Sequence, residues 1–161
     1  LRTDHNPCAG ILCCADSRIP PEYAFDAGRG DLFVSGVAGN FVNDDVLASF
    51  EYAIEVLNTP LLMVLGHQAC GAVGAAIKSI KDGTTLPGRL PSLVAAIGPA
   101  VKATANQAGN ALENATRRNI FLNVEKLKTA TPIIDKRVAE KKVRIVGALY
   151  RLDTGQVEFL S

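Results

Sequence analysis

Near its start the chain carries three chemically active side chains at every second residue: Cys14, Asp16 and Arg18. They end an apolar segment that begins at Cys8, and on an extended backbone this spacing places all three on one face, with Cys13 pointing away. A thiolate, a carboxylate and a guanidinium are costly to bury unless they are paired or bind a metal, so the group indicates a reactive site. The alternative is a buried Cys14 followed by surface charges, because free cysteine is among the most buried residue types.

A second group of metal-binding residue types, His67 and Cys70, follows the apolar segment Leu61–Leu65. In a parallel sheet the ends of both apolar segments project from the same edge, so Cys14, His67 and Cys70 could meet. Two thiolates and one imidazole are a common zinc set that leaves a fourth position for water, substrate or a carboxylate. Taken alone, the His-x-x-Cys spacing fits a capping histidine and a core cysteine equally well.

The order of elements predicts an α/β fold: a central, mostly parallel β-sheet flanked by helices, with a C-terminal antiparallel hairpin at the sheet edge. Apolar runs predict strands over Cys8–Cys14, Leu32–Ser35, Leu61–Leu65, Val143–Leu152 and Val157–Leu160. Helical spacing predicts helices over Pro20–Phe25, Asn43–Leu57, Ala72–Lys81, Ser92–Asn106, Ala111–Thr129 and Ile133–Lys141.

The length of 161 residues favours one domain over 1–161. A formal net charge of +1 gives no basic field for nucleic acid or anionic lipid, and the longest apolar runs are far too short to span a membrane, so we expect neither partner. Four cysteines in a core-rich chain favour metal binding or reduced thiols, hence a cytoplasmic protein. The start at Leu1, without an initiator Met, leaves a processed, exported or organellar form open.

Taken together, the two motifs resemble those of the β-class carbonic anhydrase family. Cys14–Arg18 matches that family's Cys-x-Asp-x-Arg signature, and Gly66–Gly71 matches its second zinc motif. Further similarity covers nearly the whole chain and lies in Gly30–Val34, Ala38–Asn40, Glu51–Ala53 and Val146–Gly155.

The resemblance implies reversible hydration of carbon dioxide to bicarbonate and a proton by zinc-bound hydroxide, with one Zn²⁺ per subunit. It implies Cys14, His67 and Cys70 as metal ligands and Asp16 as the group that orients the hydroxide, with Arg18 holding Asp16 in place. Without Arg18, Asp16 would become a fourth metal ligand in a closed state of the site. The resemblance also implies a homodimer or higher homo-oligomer with the active site near the interface.

Pocket residues follow from the same resemblance. Phe33, Ala38 and Tyr52 correspond to pocket walls contributed across a subunit interface, and the Gly71 amide corresponds to a group near the substrate. The alternative for Phe33 and Tyr52 is an ordinary core position. His5 stands where the family usually has a glutamine that hydrogen-bonds the zinc-bound ligand, and we expect it near the site, where an imidazole could also accept the proton that turnover exports.

Other positions depart from the family. From the start at Leu1 we expect the family's usual N-terminal helical arm to be missing, and Gly36 stands where an arginine is common. Ile11 stands where members that use the closed state for bicarbonate control often carry a tryptophan, so the open form is expected.

Three other functions compete with this one. The same scaffold hydrolyses carbonyl sulfide or carbon disulfide in some relatives, and the motifs do not separate these substrates. A zinc-stabilised binding domain without catalysis is a second alternative, but it would not need Asp16 and Arg18 beside an open metal position. A nucleotide-binding domain is a third, but no glycine-rich phosphate turn follows the first strand.

Overall fold

A computed structural model of the protein describes residues 4–160, so residues 1–3 and 161 of the predicted domain lie outside the described part. Its centre is a five-stranded sheet in the order β2-β1-β3-β4-β5. The strands are β1 (Ala9–Cys13), β2 (Leu32–Gly36), β3 (Leu61–His67), β4 (Arg144–Tyr150) and β5 (Val157–Phe159). The first four run parallel, and β5 is antiparallel to β4 at the edge. The predicted α/β fold with a C-terminal hairpin is confirmed.

Six helices connect and flank these strands: α1 (Pro21–Ala24), α2 (Asp44–Glu55), α3 (Gly71–Asp82), α4 (Leu90–Ala103), α5 (Ala111–Lys128) and α6 (Ile134–Ala139). Helix α2 begins as predicted, because the Asn43 side chain accepts a hydrogen bond from the Val46 amide at 2.9 Å and caps the helix. It ends before the predicted Leu57, and Asn58 then adopts a left-handed backbone (φ 54°) that turns the chain into β3.

The core consists of one apolar cluster on each face of the sheet. On one face Ile11, Met63 and Leu65 pack with side chains of α3 and α4, and on the other Leu12, Leu62 and Val64 pack with side chains of α2 and α5. Each fully buried large apolar side chain contributes about 1.5–3 kcal/mol to stability. The strand β1 is buried along its whole length, so it fixes the position of the residues that follow it.

The amino ends of the parallel strands lie at one edge of the sheet and their carboxyl ends at the other, which is the edge where the two cysteine and histidine motifs emerge. Within residues 4–160, no helix has the length and apolar character needed to cross a membrane.

Candidate metal centre

Cys14, His67 and Cys70 come together at the carboxyl edge of the sheet, with their ligand atoms all within 4.8 Å of one another and all three residues buried. Cys14 directly follows β1, and His67 is the last residue of β3. The two strands are adjacent and pair Cys13 with Leu65, which sets Cys14 beside the end of β3. The predicted meeting of these residues is therefore a consequence of parallel register.

The His67 ring is oriented by its own backbone neighbour. Nδ1 lies 2.9 Å from the Gln68 carbonyl oxygen, and only a protonated nitrogen can donate to a carbonyl, so this contact assigns the proton to Nδ1. Nε2 then carries a free lone pair, yet it is buried and has no hydrogen-bond partner among the described residues. Buried polar atoms are seldom left without a partner, so this lone pair fits a metal ion as its missing partner.

Cys70 reaches the cluster through a short loop with a strained residue. Ala69 adopts a left-handed backbone (φ 54°), and Cys70 then occupies the N-cap position of α3. There the positive end of the helix dipole favours a thiolate. The predicted strand ends at Leu65, but β3 continues through His67 because it pairs with β4 up to Tyr150.

The two thiols interact strongly. Contact with the Cys70 thiol lowers the pKa of Cys14, and the Gly39 amide, which donates a hydrogen bond to Cys14 Sγ, acts in the same direction. The same contact with Cys14, together with burial, raises the pKa of Cys70. One thiolate therefore suppresses ionisation of the other, and a divalent cation would relieve that repulsion and allow both to ionise. Two thiolates and a neutral imidazole are a donor set suited to Zn²⁺.

Asp16 and Arg18 form a bidentate ion pair beside the cluster. Arg18 Nε donates to Asp16 Oδ1 at 2.8 Å, and Arg18 Nη2 donates to Asp16 Oδ2 at 2.6 Å. These contacts hold the pKa of Asp16 well below its usual range, so the carboxylate is ionised. Its Oδ2 lies 3.8 Å from His67 Nε2, at the mouth of the candidate metal position. Asp16 itself is not among the three residues whose ligand atoms cluster.

The predicted reason for this arrangement needs correction. The strand ends at Cys13, so Cys14, Asp16 and Arg18 do not share the face of an extended strand. Instead, the Arg18 amide donates to Asp16 Oδ1 at 3.0 Å, and the Ile19 amide donates to the Asp16 carbonyl oxygen at 3.2 Å. This is a turn closed by the aspartate side chain, and it folds Arg18 back onto the carboxylate.

Cys13 takes no part in the cluster. Its side chain is buried among apolar residues, and burial raises the pKa of its thiol to about 11. The expectation that only Cys14 of the adjacent pair reaches the site agrees with the group of ligand atoms that the structure brings together.

The expected pocket residues divide into two sets. Gly71 follows Cys70 directly, and Ala38 precedes Gly39, whose amide contacts Cys14 Sγ, so both lie close to the cluster. Phe33 and Tyr52 pair with each other, their ring centroids 6.3 Å apart, and Tyr52 is 49% exposed. Phe33 lies level with Gly10 on β1, and Cys14 follows Gly10 by four positions, about 13 Å at 3.3 Å per residue.

His5, like Phe33 and Tyr52, lies away from the metal cluster. It is exposed and lines a cavity of about 450 Å³ with Tyr52 and Asn58, at the amino edge of the sheet. Within one chain neither His5 nor the Phe33–Tyr52 pair reaches the metal cluster. Their predicted contact with substrate across a subunit interface stays a prediction.

The sequence analysis did not identify a set of buried amide groups that hydrogen-bond to Cys14 and to the loop beside it. The Gly39 amide donates to Cys14 Sγ at 3.2 Å, and Asn119 Nδ2 donates to the Gly39 carbonyl oxygen at 2.8 Å. Asn119 and Asn123 are both buried on α5. A signal was present in the sequence, because the two asparagines interrupt the apolar stripe of α5 at a spacing of four residues.

Comparisons with known proteins agree with this geometry. The sequence profile described as carbonic anhydrase matches residues 9–157. Carbonic anhydrase 2 of Mycobacterium tuberculosis is 39% identical over 156 residues, which cover 97% of this chain and 75% of that protein. A carbonic anhydrase of Mycolicibacterium smegmatis is 34% identical over 161 residues, covering 100% of this chain and 78% of the relative.

Among solved structures, a tetrameric β-carbonic anhydrase from Sordaria macrospora superimposes with a TM-score of 0.90. The alignment has 21% sequence identity and covers 99% of this chain and 83% of the Sordaria macrospora chain. This likeness supports the fold.

Proposed function

The chain belongs to the β-class carbonic anhydrase family, and on that premise we propose how its residues carry out the reversible hydration of carbon dioxide to bicarbonate and a proton. The observation that carries the proposal is the buried Cys14, His67 and Cys70 group with an ionised carboxylate, Asp16, at its mouth. The proposed cofactor is one Zn²⁺ per subunit, held by these three residues.

The chemistry that zinc supplies when bound is a hydroxide nucleophile near neutral pH, because the metal lowers the pKa of water. Two thiolates offset the formal charge of Zn²⁺, so the protein must help to prepare the nucleophile. The Asp16 carboxylate, whose Oδ2 lies 3.8 Å from His67 Nε2, supplies that help from one side of the site.

Asp16 acts as a hydrogen-bond acceptor. Because it is ionised, it cannot donate a proton, and it orients a nucleophilic oxygen by accepting that oxygen's hydrogen at Oδ2. Arg18 fixes the carboxylate by two hydrogen bonds, and it also donates from Nη2 to the Ala69 carbonyl oxygen at 3.2 Å. The pair thus keeps Asp16 available as an acceptor and holds it away from the ligand group.

Small residues beside the cluster suit a small, linear and weakly polar substrate. A Cβ atom added at Gly71 would meet no atom within 4 Å, so open space lies next to Cys70. Ala38 contributes one methyl group near Cys14. We propose that carbon dioxide occupies this space with the Gly71 amide near one of its oxygens.

We propose a homodimer or higher homo-oligomer in which the exposed Tyr52, with Phe33 and His5, faces the partner's site. The outer side of β2 supports this arrangement, because β2 is an edge strand and Val34 on it is 39% exposed. The four cysteines are free thiols, which supports a reducing compartment such as the cytoplasm.

The test measures zinc per chain and stopped-flow hydration of carbon dioxide on the same sample, with carbonyl sulfide assayed in parallel. The proposal predicts one zinc per chain and rapid hydration that is lost when zinc is removed and regained when it is restored. Stoichiometric zinc without hydration would leave only a metal-stabilised binding domain, and faster turnover of carbonyl sulfide would change the substrate. Sedimentation analysis of the same sample gives the oligomer.

A further inference from the structure

A buried chain of hydrogen bonds links helix α5 to the sulfur of Cys14. The Gly39 amide donates to Cys14 Sγ at 3.2 Å, and the carbonyl oxygen of the same residue accepts from Asn119 Nδ2 at 2.8 Å. Asn119 is 1% exposed and lies 80 positions from Gly39 in sequence. One residue of the loop after β2 is therefore held from both sides, by a ligand sulfur and by a helix side chain.

The conformation of Gly39 makes this bridge specific. Its backbone is left-handed (φ 86°), and a Cβ atom there would lie 2.5 Å from Ile97 Cδ1, so any residue other than glycine would be strained. This conformation allows the amide of Gly39 to face Cys14 while its carbonyl group faces α5. Without a partner on α5, that buried carbonyl oxygen would lack a hydrogen bond, and the loop would be free to turn its amide away from the sulfur.

Asn123 completes the connection one turn further along α5. Its Nδ2 donates to the Asn119 carbonyl oxygen at 2.8 Å and lies 3.2 Å from Asn119 Oδ1, which orients the Asn119 amide with its nitrogen towards Gly39. Its Oδ1 accepts from the Val42 amide at 2.8 Å. The two asparagine side chains thus hold the loop by hydrogen bonds at Gly39 and at Val42.

From these contacts we infer that Asn119 is a positioning residue for the metal ligand Cys14, acting through the Gly39 peptide. The inference rests on the proposed function, because it requires Cys14 to bind zinc. A hydrogen bond to a ligand sulfur stabilises its negative charge and fixes the direction of its lone pairs, and groups in this outer layer change metal affinity by about 10- to 100-fold when they are lost.

The experiment compares Asn119→Leu with Thr116→Val. The first change removes the donor to Gly39 while keeping the branching and the number of heavy atoms of the side chain. The second is a matched control, because Thr116 is buried on the same helix and donates only to Leu112 of that helix. Zinc affinity is measured by competition with a chromophoric chelator, and the cobalt-substituted proteins are compared by their sulfur-to-cobalt charge-transfer absorption. The unfolding temperature of each metal-free chain reports structural damage separately.

We expect Asn119→Leu to weaken zinc binding about 10- to 100-fold and to shift the charge-transfer band. Thr116→Val should leave the zinc affinity and the charge-transfer band unchanged, even if it lowers the unfolding temperature. Unchanged affinity and an unchanged band in Asn119→Leu would overturn the inference, as would an equal loss of affinity in both variants.

If Asn119→Leu does not fold, Asn119→Asp decides the question, because it keeps the volume and the oxygen that lies beside Asn123 Nδ2. It should shift the band and weaken zinc binding, and wild-type values for both would overturn the inference. A wild-type protein that binds no zinc would instead refute the proposed function, so the two failures are distinguishable.

Discussion

Arg18 donates a hydrogen bond from Nη2 to the carbonyl oxygen of Ala69, 3.2 Å away and 51 positions along the chain. The same nitrogen donates to Asp16 Oδ2 at 2.6 Å, so one guanidinium joins the turn after β1 to the loop between His67 and Cys70. The two sequence motifs are thus connected directly as well as through the candidate metal position.

Replacement of Arg18 should release Asp16. We expect Arg18→Ala to lower kcat about 10- to 100-fold, because the carboxylate loses its two side-chain hydrogen bonds and can turn onto the metal. A crystal structure of the zinc-loaded variant would show this movement, and an unmoved Asp16 would contradict the gating role. Arg29→Ala, which removes an exposed guanidinium from another turn, should retain wild-type kcat.

Loss of one ligand thiolate should remove both zinc and activity. Cys70→Ala is expected to retain little zinc and to unfold at lower temperature, because binding energy contributes to folding. Metal analysis and thermal unfolding check this outcome. Full zinc occupancy in the variant would refute the assignment.

Cys13→Ser is the matched control for that experiment. It should keep its zinc and its activity, while the buried hydroxyl costs about 1–3 kcal/mol of stability. Loss of metal here would mean that the wrong cysteine of the adjacent pair has been assigned.

Gly39 and Gly36 should respond differently to alanine. In Gly39→Ala the left-handed backbone costs about 1–2 kcal/mol, and the new methyl group meets Ile97 Cδ1. We expect a lower free energy of unfolding in urea and weaker zinc binding. A Cβ atom at Gly36 would meet nothing within 4 Å, so Gly36→Ala should leave both quantities near wild type. Equal losses in the two variants would show that the close contact at Gly39 is relieved at no cost.

A surface network should make part of the stability depend on pH. Arg117 and Arg151 both pair with Glu113 and Glu158, at distances of 2.8 to 3.1 Å, and they lower the pKa of both carboxyl groups. Carboxyl groups whose pKa is lower in the folded state stabilise it above their unfolded pKa, about 4.3, and this contribution is lost as the pH falls through the folded values.

Glu158→Gln tests this dependence by urea unfolding at pH 7 and below pH 4. Because Glu158 is partly exposed, we expect the variant to lose only about 0.5–1 kcal/mol at pH 7, and the difference from wild type should disappear at the lower pH. Glu125→Gln on the exposed face of α5 is the control and should change stability less. A difference that persists below pH 4 would assign the effect to packing instead of charge.

The sequence by itself determined which residues could bind a metal and where they would meet. The apolar runs before Cys14 and His67 predicted buried parallel strands, and parallel strands present their carboxyl ends at one edge, so the ligand group followed from local pattern and general topology. The helix cap at Asn43 was predictable for the same reason, because its hydrogen bond to Val46 spans three residues.

Tertiary structure alone decided the contacts between segments that are distant along the chain. Asp16 meets Arg18 through a turn and not along a strand, and β3 extends through His67 because its partner β4 lies some 80 residues further on. The link from Asn119 to Cys14 depends on helix packing and on the left-handed Gly39; the sequence shows the two asparagines on α5 but not the loop that they contact. Such contacts are set by the register and packing of whole elements, whereas sequence spacing reports only the conformation of neighbouring residues.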